Sequence, residues 1–288
     1  MGVKLQTIKD IRHYLDKELG EIYQGSEISA IANLIIKTET GISRLHQLYM
    51  SEQTITQCQS EKIIAICKEL KTGKPVQYIF GEATFYDCII RVNNSTLIPR
   101  PETEELVDLV IKENRGFTGK IVDIGTGSGC IAIALAANIP EAYVSGIDIS
   151  EKAIAAAKGN ALLNGVNISF IKGDIFNFDF EIIDKVGIIV SNPPYIRNSE
   201  KQFMSKNVLD FEPNSALFVT DSDPLVFYRA IIKVADRILI HKGKLYFEIN
   251  EAMGLPMVQL LEESGYSDVQ LIKDINDKER IIKGIKNV

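Results

Sequence analysis

The segment Asn192-Pro193-Pro194-Tyr195 follows an apolar run and combines an amide, two prolines and an aromatic ring. Each proline fixes its own φ angle, lacks an N–H group and restricts the preceding residue to extended backbone. In so stiff a segment, the Asn192 side-chain oxygen and a neighbouring main-chain carbonyl can both accept from one planar –NH₂ group, and the Tyr195 ring can cover the same plane. These residues suit an amide or an aryl amine, although they would also make a rigid turn after a strand.

A second set of residues has the pattern of a nucleoside pocket. The glycine loop (Gly125–Gly129) follows a predicted strand and precedes an apolar helix, so it allows a tight turn and the close approach of a ligand. Asp148 and Asp174 end the next two predicted strands. The first acid can accept both hydroxyls of a ribose, and the second can accept from an exocyclic amine such as adenine N6, with Ile175 against the base. A lone aspartate there is usually a helix cap, but three such strand ends favour a pocket.

Together the two sets indicate methyl transfer to nitrogen. An amide or aryl amine nitrogen is a poor nucleophile because its lone pair is delocalised. Acceptors on both N–H bonds would hold the nitrogen toward a sulfonium methyl group and stabilise the positive charge that develops on it. No general base is evident in the sequence, so we expect deprotonation after transfer. A triphosphate ligand is disfavoured because the glycine loop lacks the Lys-Ser/Thr pair of a phosphate-binding loop.

The elements that must position these residues follow an α/β pattern. From Lys120 onward, short apolar strands alternate with helices, which predicts a mostly parallel sheet covered on both faces. The last two strands are joined by a short polar turn and predict an antiparallel hairpin. This is the Rossmann-like, seven-stranded layout of class I methyltransferases. The expected strands lie near residues 120–124, 143–147, 168–172, 186–191, 244–249, 268–273 and 279–285.

The first part of the chain has a helical pattern. Apolar residues recur at helical spacing in three segments and predict a small bundle that ends near residue 72. These residues are Ile8, Ile11, Leu15 and Leu19; Ile28, Ile31, Leu34 and Ile35; and Ile63, Ile66, Cys67 and Leu70. Residues 76–98 predict a β-hairpin around Asn93-Asn94-Ser95, which we expect to bridge two domains. Pro101 and the glutamates after it predict the first turn of a helix.

Composition limits the class of protein. The chain has 288 residues, a formal net charge of −6 and a pI near 5.3, so it lacks the basic excess of a non-specific nucleic-acid binder. It contains no apolar run of about 18 residues that could span a membrane, and its N-terminus lacks the hydrophobic region of a signal peptide. Its four cysteines form no CxxC pair, and three histidines are poor material for a zinc site. We expect a cytoplasmic protein that binds no metal.

Five segments resemble one known family. They are IVDIGTGSGCIAIALA, SNPPYI, LIPRPETEELVD, PVQYIFGEATFY and KDINDKERIIKG, and the resemblance spans nearly the whole chain. The family is the release-factor glutamine methyltransferases, PrmC/HemK, for which PRPETE behind a helical domain is the most specific feature. The resemblance implies methyl transfer from S-adenosyl-L-methionine, with S-adenosyl-L-homocysteine as product. The implied acceptor is the side-chain N5 of the glutamine in the Gly-Gly-Gln loop of class I peptide chain release factors, which would tune translation termination.

The resemblance also implies roles for residues. Those implied to bind the cofactor are Gly125, Thr126, Gly127, Ser128, Gly129, Asp148, Asp174, Ile175 and Asn192. Those implied to bind the substrate are Asn192, Pro193, Pro194, Tyr195 and Arg100, and those implied to be catalytic are Asn192, Pro193 and Tyr195. The implied domains are a helical domain that docks the release factor (1–74), the hairpin bridge (75–98) and the methyltransferase domain (99–288). We expect a monomer with a release factor as partner, and no direct nucleic-acid or membrane contact.

Two alternatives and one departure from the family pattern stay open. An adenine-N6 methyltransferase acting on DNA or RNA would use the same amide-binding residues, but it would need base flipping and a basic track. A non-catalytic nucleoside-binding module is the other alternative, but it would have no need of the amide-binding residues. After the fifth strand the family often has EIG followed by a glutamine, whereas this chain has FEINEAMG with Asn250. What that loop contributes to the mouth of the site is therefore open.

Overall fold

The computed structural model describes residues 4–177 and 184–287. The chain divides into two compact units. The first comprises Met1–Phe80 and Lys206–Phe211, and the second comprises Gly81–Ser205 and Glu212–Val288. In the part of the chain that the structure describes, no helix is both long enough and apolar enough to cross a membrane.

The first unit is helical, as the three apolar stripes predict. Its helices are α1 (Ile8–Leu19), α2 (Gly25–Thr40), α3 (Arg44–Gln47), α4 (Gln57–Leu70), α5 (Val76–Phe80) and, from later in the chain, α9 (Lys206–Phe211). Thr7 and Thr56 begin α1 and α4 with capping boxes, which satisfy free N–H groups of the first turn. The stripe residues are buried except Leu34, which is 36% exposed. Helix α2 buries Ile36 in its place, so its apolar face is turned slightly from the predicted one.

The second unit begins with a hairpin whose turn lies elsewhere than predicted. Its strands are β1 (Glu82–Phe85) and β2 (Cys88–Arg91). They turn at Tyr86 and Asp87, not at residues 93–95. Both turn residues have positive φ angles, of 46° and 63°, which non-glycine residues seldom adopt. A contact distant in sequence stabilises the turn, because the Tyr86 N–H donates to Glu104 Oε1 over 2.9 Å.

A seven-stranded sheet forms the centre of the second unit and confirms the predicted α/β fold. The strands are β3 (Lys120–Ile124), β4 (Tyr143–Asp148), β5 (Ser169–Lys172), β6 (Val186–Ser191), β9 (Leu239–Glu248), β10 (Tyr266–Lys273) and β11 (Glu279–Lys286). They lie in the order β10-β11-β9-β6-β3-β4-β5. Strands β9, β6, β3, β4 and β5 are parallel to one another. Strand β11 runs antiparallel to both of its neighbours, β9 and the edge strand β10. The predicted strands are confirmed, although β9 begins earlier, at Leu239.

Helices connect and cover these strands. They are α6 (Pro101–Glu113), α7 (Cys130–Asn138), α8 (Glu151–Leu163), α10 (Val226–Ile238) and α11 (Gly254–Glu263). Pro101 begins α6 as predicted. The main core contains Tyr228 of α10 and Phe247 of β9, whose rings meet edge to face with centroids 5.2 Å apart. A short parallel pair, β7 (Ile196–Arg197) and β8 (Phe218–Val219), follows the Asn-Pro-Pro-Tyr sequence.

Candidate active site

The predicted site residues meet at one edge of the sheet, which we call the carboxyl edge because the parallel strands end there. The register pairs Ile124 at the end of β3 with Ile147 of β4 on one side and with Ser191 of β6 on the other. Strand β5 pairs with the far side of β4. The glycine loop, Asp148, Asp174 and the NPPY segment (Asn192–Tyr195) are therefore neighbours, in the place where such sheets bind ligands.

The glycine loop requires glycine at three positions. Gly125, Gly127 and Gly129 have φ angles of 76°, 54° and 84°, in the left-handed region that glycine adopts without steric cost. A Cβ atom at Gly129 would also lie only 3.0 Å from the Cβ of Ala157 in α8, so glycine lets α7 begin close to α8. A Cβ atom at Gly125 would meet no protein atom within 4 Å. The space beside Gly125 is therefore open to a ligand.

Asp148 holds the glycine loop in this shape. Its Oδ2 accepts from the Gly127 N–H and its Oδ1 from the Ser150 N–H, both over 2.8 Å. Each carboxylate oxygen has a further lone pair, so Asp148 can still accept from two hydroxyl groups. Burial raises the pKa of this carboxyl, while the two N–H donors act to lower it. Asp148 is thus a desolvated acid beside the loop, and hydrogen-bond donors are its favoured neighbours.

Asp123 of β3 is a candidate site residue that the sequence analysis missed. It is fully buried, and its Oδ2 accepts from the Thr126 hydroxyl over 2.6 Å. Its Oδ1 is buried and makes no well-formed hydrogen bond with the described residues. Burial raises the pKa of Asp123 to about 7, although the Thr126 hydroxyl and the Ala132 N–H act to lower it. Such an acceptor favours a cationic donor, such as the ammonium group of an amino acid. Because Asp123 is closed to solvent in this structure, the glycine loop would have to shift to admit one. An acid inside an apolar strand, just before the loop, is the signal that could have found it.

Asn160 of α8 fastens the glycine loop from behind. Its Nδ2 donates to the Ser128 carbonyl over 2.9 Å and to the Arg91 carbonyl over 3.0 Å, and its Oδ1 accepts from the Arg91 N–H over 2.9 Å. Asn160 is 1% exposed, so these hydrogen bonds are shielded from water. The loop is thereby joined to strand β2, which lies far from it in sequence.

Asp174 and Ile175 lie just after β5 at the same edge. Asp174 Oδ1 accepts from the Phe176 N–H over 3.0 Å, and its Oδ2 accepts from the Asn177 side chain over 2.7 Å. The aspartate therefore shapes the turn after the strand, as an aspartate in that position often does. Ile175 is half-buried against the main core. Recognition of an adenine by these two residues stays a prediction.

Two apolar side chains beside the aspartates are exposed, and the sequence analysis missed both. Ile149, directly after Asp148, is 61% exposed, and Phe176 is 50% exposed. The Phe176 ring packs on Phe227 with centroids 5.3 Å apart. Apolar groups at two neighbouring strand ends suit the faces of a flat aromatic ligand. An apolar residue close behind each strand-end acid is the signal that could have found them.

The NPPY segment is held by a buried carboxylate that was not predicted. The Asn192 Nδ2 donates to the Thr103 hydroxyl over 3.1 Å, and that hydroxyl donates to Glu248 Oε2 over 2.6 Å. The Tyr195 hydroxyl donates to the other oxygen, Glu248 Oε1, over 2.9 Å. One side chain at the end of β9 therefore holds both ends of the segment, at one end through Thr103 of α6.

The same carboxylate affects which groups can take up a proton. Glu248 is 1% exposed, and burial raises its pKa, while the hydroxyl donors and the charge of Arg280 act to lower it. Burial of the Tyr195 hydroxyl raises its pKa, and the charge of Glu248 adds to that effect. Tyr195 therefore stays a neutral hydrogen-bond donor and is not a base at neutral pH.

Acceptors on the NPPY segment are left for a ligand. Asn192 is half-buried, and its Oδ1 accepts no hydrogen bond from the described residues. The main-chain carbonyls of Pro193 and Pro194 likewise accept none from that part of the chain. An amide oxygen and free carbonyls within one stiff segment match the predicted arrangement for holding an –NH₂ group.

Arg100 is engaged in an ion pair at the start of α6. Its guanidinium donates to Glu212 Oε1 over 2.5 Å, and Glu212 Oε2 accepts from the Ile98 N–H over 3.1 Å. The Arg100 side chain is 32% exposed and that of Glu212 is 1% exposed. The pair fixes the chain that leads into α6, and the predicted role of Arg100 at the mouth of the site stays a prediction.

Asn250, the departure seen in the sequence, joins two loops at the carboxyl edge. Its Nδ2 donates to the Tyr195 carbonyl over 3.3 Å and to Glu200 Oε2 over 3.2 Å, and its Oδ1 accepts from the Ala252 N–H over 2.9 Å. Its φ angle is −65°, so the position has no need of glycine. The loop after β9 is thereby fastened to the chain that follows the NPPY segment.

Two family models match the chain. One, described as "Methyltransferase small domain", matches residues 103–211, and the other, "PrmC N-terminal domain", matches residues 10–81. The first match includes the glycine loop, both predicted aspartates and the NPPY segment. The second lies in the helical part of the chain.

Curated relatives match over nearly the full length. The release factor glutamine methyltransferase of Flavobacterium psychrophilum is 44% identical over 280 residues, covering 96% of this chain and 98% of that protein. The protein of the same name from Bacteroides thetaiotaomicron is 44% identical over 273 residues, covering 94% and 98%. That from Bacillus subtilis is 37% identical over 258 residues, covering 87% and 89%.

Solved structures share the fold at low identity. The Thermus thermophilus 16S rRNA methyltransferase RsmC, in complex with AdoMet and guanosine, has a TM-score of 0.51 at 18% identity and covers 72% of this chain and 50% of that chain. A methyltransferase from Pyrococcus furiosus has a TM-score of 0.50 at 19% identity, covering 69% and 89%. These matches show a methyltransferase fold and say nothing of the substrate.

Proposed function

The chain belongs to the release factor glutamine methyltransferase family, and on that basis we propose that it methylates the glutamine of the Gly-Gly-Gln loop in class I peptide chain release factors. The methyl group comes from S-adenosyl-L-methionine and goes to the side-chain N5 of the glutamine, leaving S-adenosyl-L-homocysteine. The observation that carries the proposal is at Asn192: its nitrogen donates to Thr103, while its oxygen accepts nothing from the described residues. That oxygen is available to an N–H of a substrate amide.

The cofactor side of the site (Asp123, Gly125–Gly129 and Asp148) fits this methyl donor. Asp123 would pair with the ammonium group through the Oδ1 that lacks a partner, and Asp148 would accept from the ribose hydroxyls. The open space beside Gly125 would take the methionine part, and Asp174 with Ile175 would flank the adenine. When bound, S-adenosyl-L-methionine supplies a methyl group on a positively charged sulfur.

The amide side of the site (Thr103, Asn192–Tyr195 and Glu248) would hold the glutamine. Asn192 Oδ1 accepts one N–H of the substrate amide, and a main-chain carbonyl of the NPPY segment accepts the other. The Tyr195 ring lies against the amide plane with its hydroxyl held by Glu248. With both N–H bonds directed in this way, the nitrogen lone pair faces the methyl donor, and positioning of this kind supplies most of the catalysis.

The proton leaves after the transfer. The two acceptors stabilise the positive charge that develops on the amide nitrogen as the new bond forms. Asn192 is neutral, and the raised pKa of Tyr195 keeps its hydroxyl protonated, so neither takes the proton. Once methylated, the cationic nitrogen is acidic and loses its extra proton to water.

We further propose that the helical residues 1–74 dock the release factor and that the protein works in the cytoplasm as a monomer. The net charge of −6 supports a protein partner over direct nucleic-acid contact. The chain also spans nearly the whole length of two curated relatives, and its residues 10–81 match the PrmC N-terminal domain.

The proposal is tested with methyl-labelled S-adenosyl-L-methionine and three acceptors. They are a class I release factor, the same factor with its loop glutamine changed to alanine, and duplex DNA. We expect one methyl group on the Gly-Gly-Gln peptide of the unchanged factor by mass spectrometry, and none on the other two. Label on the DNA, or equal label on both forms of the factor, would overturn the assignment.

A further inference from the structure

The two ends of the NPPY segment are joined to one buried carboxylate by three hydrogen bonds. We propose that Glu248 and Thr103 are positioning residues, which fix the direction of the Asn192 amide so that its oxygen, and not its nitrogen, faces the substrate. The inference rests on the proposed function, because it gives these residues a part in holding the substrate amide.

The direction of the hydrogen bonds follows from the chemistry of the groups. An ionised carboxylate only accepts, so the hydroxyls of Tyr195 and Thr103 both donate to Glu248. A hydroxyl has a single hydrogen, which Thr103 has then used. Its oxygen can only accept from Asn192, and within that amide only Nδ2 can donate. The charge on Glu248 therefore dictates the direction of an amide two hydrogen bonds away.

The Asn192 amide needs such a constraint because its two orientations have nearly the same shape. Exchanging the oxygen and the nitrogen changes little in the packing, so hydrogen bonds alone decide between them. In the reversed orientation an –NH₂ group would face the –NH₂ group of the substrate, and neither can accept. The site would keep its shape and its cofactor residues but lose an acceptor at the reacting nitrogen.

The hydrogen-bond partners of Glu248 favour the ionised state that gives this direction. Thr103 and Tyr195 occupy one oxygen each, and Glu248 is 1% exposed, so water does not compete for them. The charge of Arg280, whose Nε pairs with Asp274 over 3.1 Å, favours the ionised carboxylate. These interactions counteract part of the effect of burial, which on balance raises the pKa of Glu248.

Three substitutions distinguish the effect of the Asn192 amide orientation from the effect of side-chain packing. Thr103→Val keeps the shape of the side chain but removes the hydroxyl, whereas Thr103→Ser keeps the hydroxyl. Glu248→Gln keeps the size but introduces an –NH₂ group that can donate to Thr103, which would then donate to Asn192 and reverse its amide. Glu113→Gln is the matched control, because Glu113 also accepts from a tyrosine hydroxyl, that of Tyr246, over 2.8 Å, at a site away from the NPPY segment.

The first measurement is the split between rate and cofactor affinity. Rates of methyl transfer to the release factor are measured at saturating donor and normalised to S-adenosyl-L-homocysteine binding sites, so that only folded protein is counted. We expect Thr103→Val and Glu248→Gln to lower kcat about 10- to 100-fold, the cost of a misplaced reacting group, with unchanged product affinity. Thr103→Ser should restore most of the rate, and Glu113→Gln should match the unchanged protein.

The second measurement does not depend on the substrate. The side-chain –NH₂ resonances of Asn192, identified in ¹⁵N-labelled protein by their loss in Asn192→Ala, should shift in Thr103→Val and Glu248→Gln and stay in place in Glu113→Gln. The inference would be overturned if the Asn192 resonances did not shift in Thr103→Val and Glu248→Gln, or if the transfer rate and the product affinity fell together. Failure of the unchanged protein to label the release factor would instead remove the proposed function, and the resonances would still report whether the amide is held in this way.

Discussion

The cofactor side and the amide side of the site are assembled over different distances in sequence. On the cofactor side the glycine loop is bonded to Asp123 and Asp148, across 3 and 21 positions. On the amide side Asn192 is bonded to Thr103 across 89 positions, and Thr103 to Glu248 across 145. The first side forms within two successive strand–loop units, whereas the second forms only once α6 and the fifth parallel strand have packed into the same unit.

This difference indicates that the cofactor side and the amide side are held by separate sets of hydrogen bonds, so a substitution on one side should impair the function of that side alone. Among the described residues no hydrogen bond joins a residue of one side to a residue of the other, so we expect changes on the two sides to act largely independently. Changes on the cofactor side should therefore appear in the affinity for S-adenosyl-L-homocysteine. Changes on the amide side should appear in the rate of transfer at saturating donor.

The largest expected effect is that of Asn192→Ala. It removes the side-chain oxygen that we propose holds the substrate amide, and loss of one such group at a reacting centre lowers kcat about 100- to 1,000-fold. Affinity for S-adenosyl-L-homocysteine should hardly change, because Asn192 would lie near the transferred methyl group, which the product lacks. Single-turnover rates and calorimetric titration measure the two quantities.

A matched control for this change is Asn167→Ala, at an exposed asparagine before β5 and thus at the opposite edge of the sheet. It should leave both quantities unchanged. If Asn192→Ala weakened product binding as strongly as it slowed transfer, the cofactor side and the amide side would not act independently.

Asp148→Asn should give the next largest effect, on the other side of the site. The change replaces an acceptor with a donor and removes the charge, and hydrogen bonds to a charged group contribute about 1.5–3 kcal/mol. We expect the Kd for S-adenosyl-L-homocysteine to rise about 10- to 100-fold, with kcat at saturating donor much less affected. Asp174→Asn sharpens this result when it is compared with Asn177→Ala, which removes only the turn contact to Asp174 Oδ2: a larger rise in Kd for Asp174→Asn would indicate that Asp174 also contacts the cofactor.

The cofactor side was largely predictable from the sequence because the contacts among its own residues are local, although the link through Asn160 to strand β2 is not. Strand, glycine loop and strand-end acid follow one another in the chain, and a parallel sheet brings consecutive strand ends together. Asp123 was missed although it lies within the same motif, because an acid inside a buried strand gives no sign of a partner. Only the structure reveals the feature that marks Asp123, namely a buried Oδ1 that makes no well-formed hydrogen bond with the described residues.

The amide side was predictable only in part. The stiffness of the NPPY segment follows from its prolines, but Thr103 and Glu248 look like an ordinary first-turn residue and a strand end. Their role depends on a meeting across 145 positions, which no local pattern encodes. The misplaced hairpin turn has the same cause, because Glu104 of α6 stabilises Tyr86 in a conformation that its own sequence disfavours.

The next expected effect is a dependence of binding on pH through Asp123. Its pKa is about 7 because the group is buried, and an ammonium group beside Oδ1 would lower it. Binding of S-adenosyl-L-homocysteine should therefore release nearly one proton at about pH 6, and its affinity should rise about tenfold between about pH 6 and 8. Calorimetry in buffers with different ionisation enthalpies measures the released proton.

Stability of the unliganded protein gives the control for this change. The folded pKa of about 7 lies above the ordinary value of 3.8, so Asp123 contributes stability that is present below about pH 4 and lost as the pH rises through about 7. Asp123→Asn should remove that loss, seen in melting temperature against pH, and abolish the proton release. Binding without proton release by the unchanged protein would mean that Asp123 does not meet an ammonium group.

The smallest expected effect is that of Asn250→Ala, at the loop that meets the amide side. The change removes long hydrogen bonds to the Tyr195 carbonyl and to Glu200. A neutral hydrogen bond contributes about 0.5–1.5 kcal/mol, and one to a carboxylate about 1.5–3 kcal/mol. The carbonyl of Tyr195 should then be held less firmly, while the hydroxyl stays on Glu248. We expect the KM for the release factor to rise about two- to five-fold with little change in kcat, measured by initial rates.

Asn250→Gly separates the lost contact from a change in the backbone. The φ angle of −65° at this position suits any residue, so glycine adds only flexibility to what alanine already removes. If contact is the cause, the two variants should raise the KM equally. A larger effect of glycine would mean that the rigidity of the loop after β9 matters more than its bond to the NPPY segment, and no effect of either would confine the amide side to Thr103, Glu248 and the NPPY segment itself.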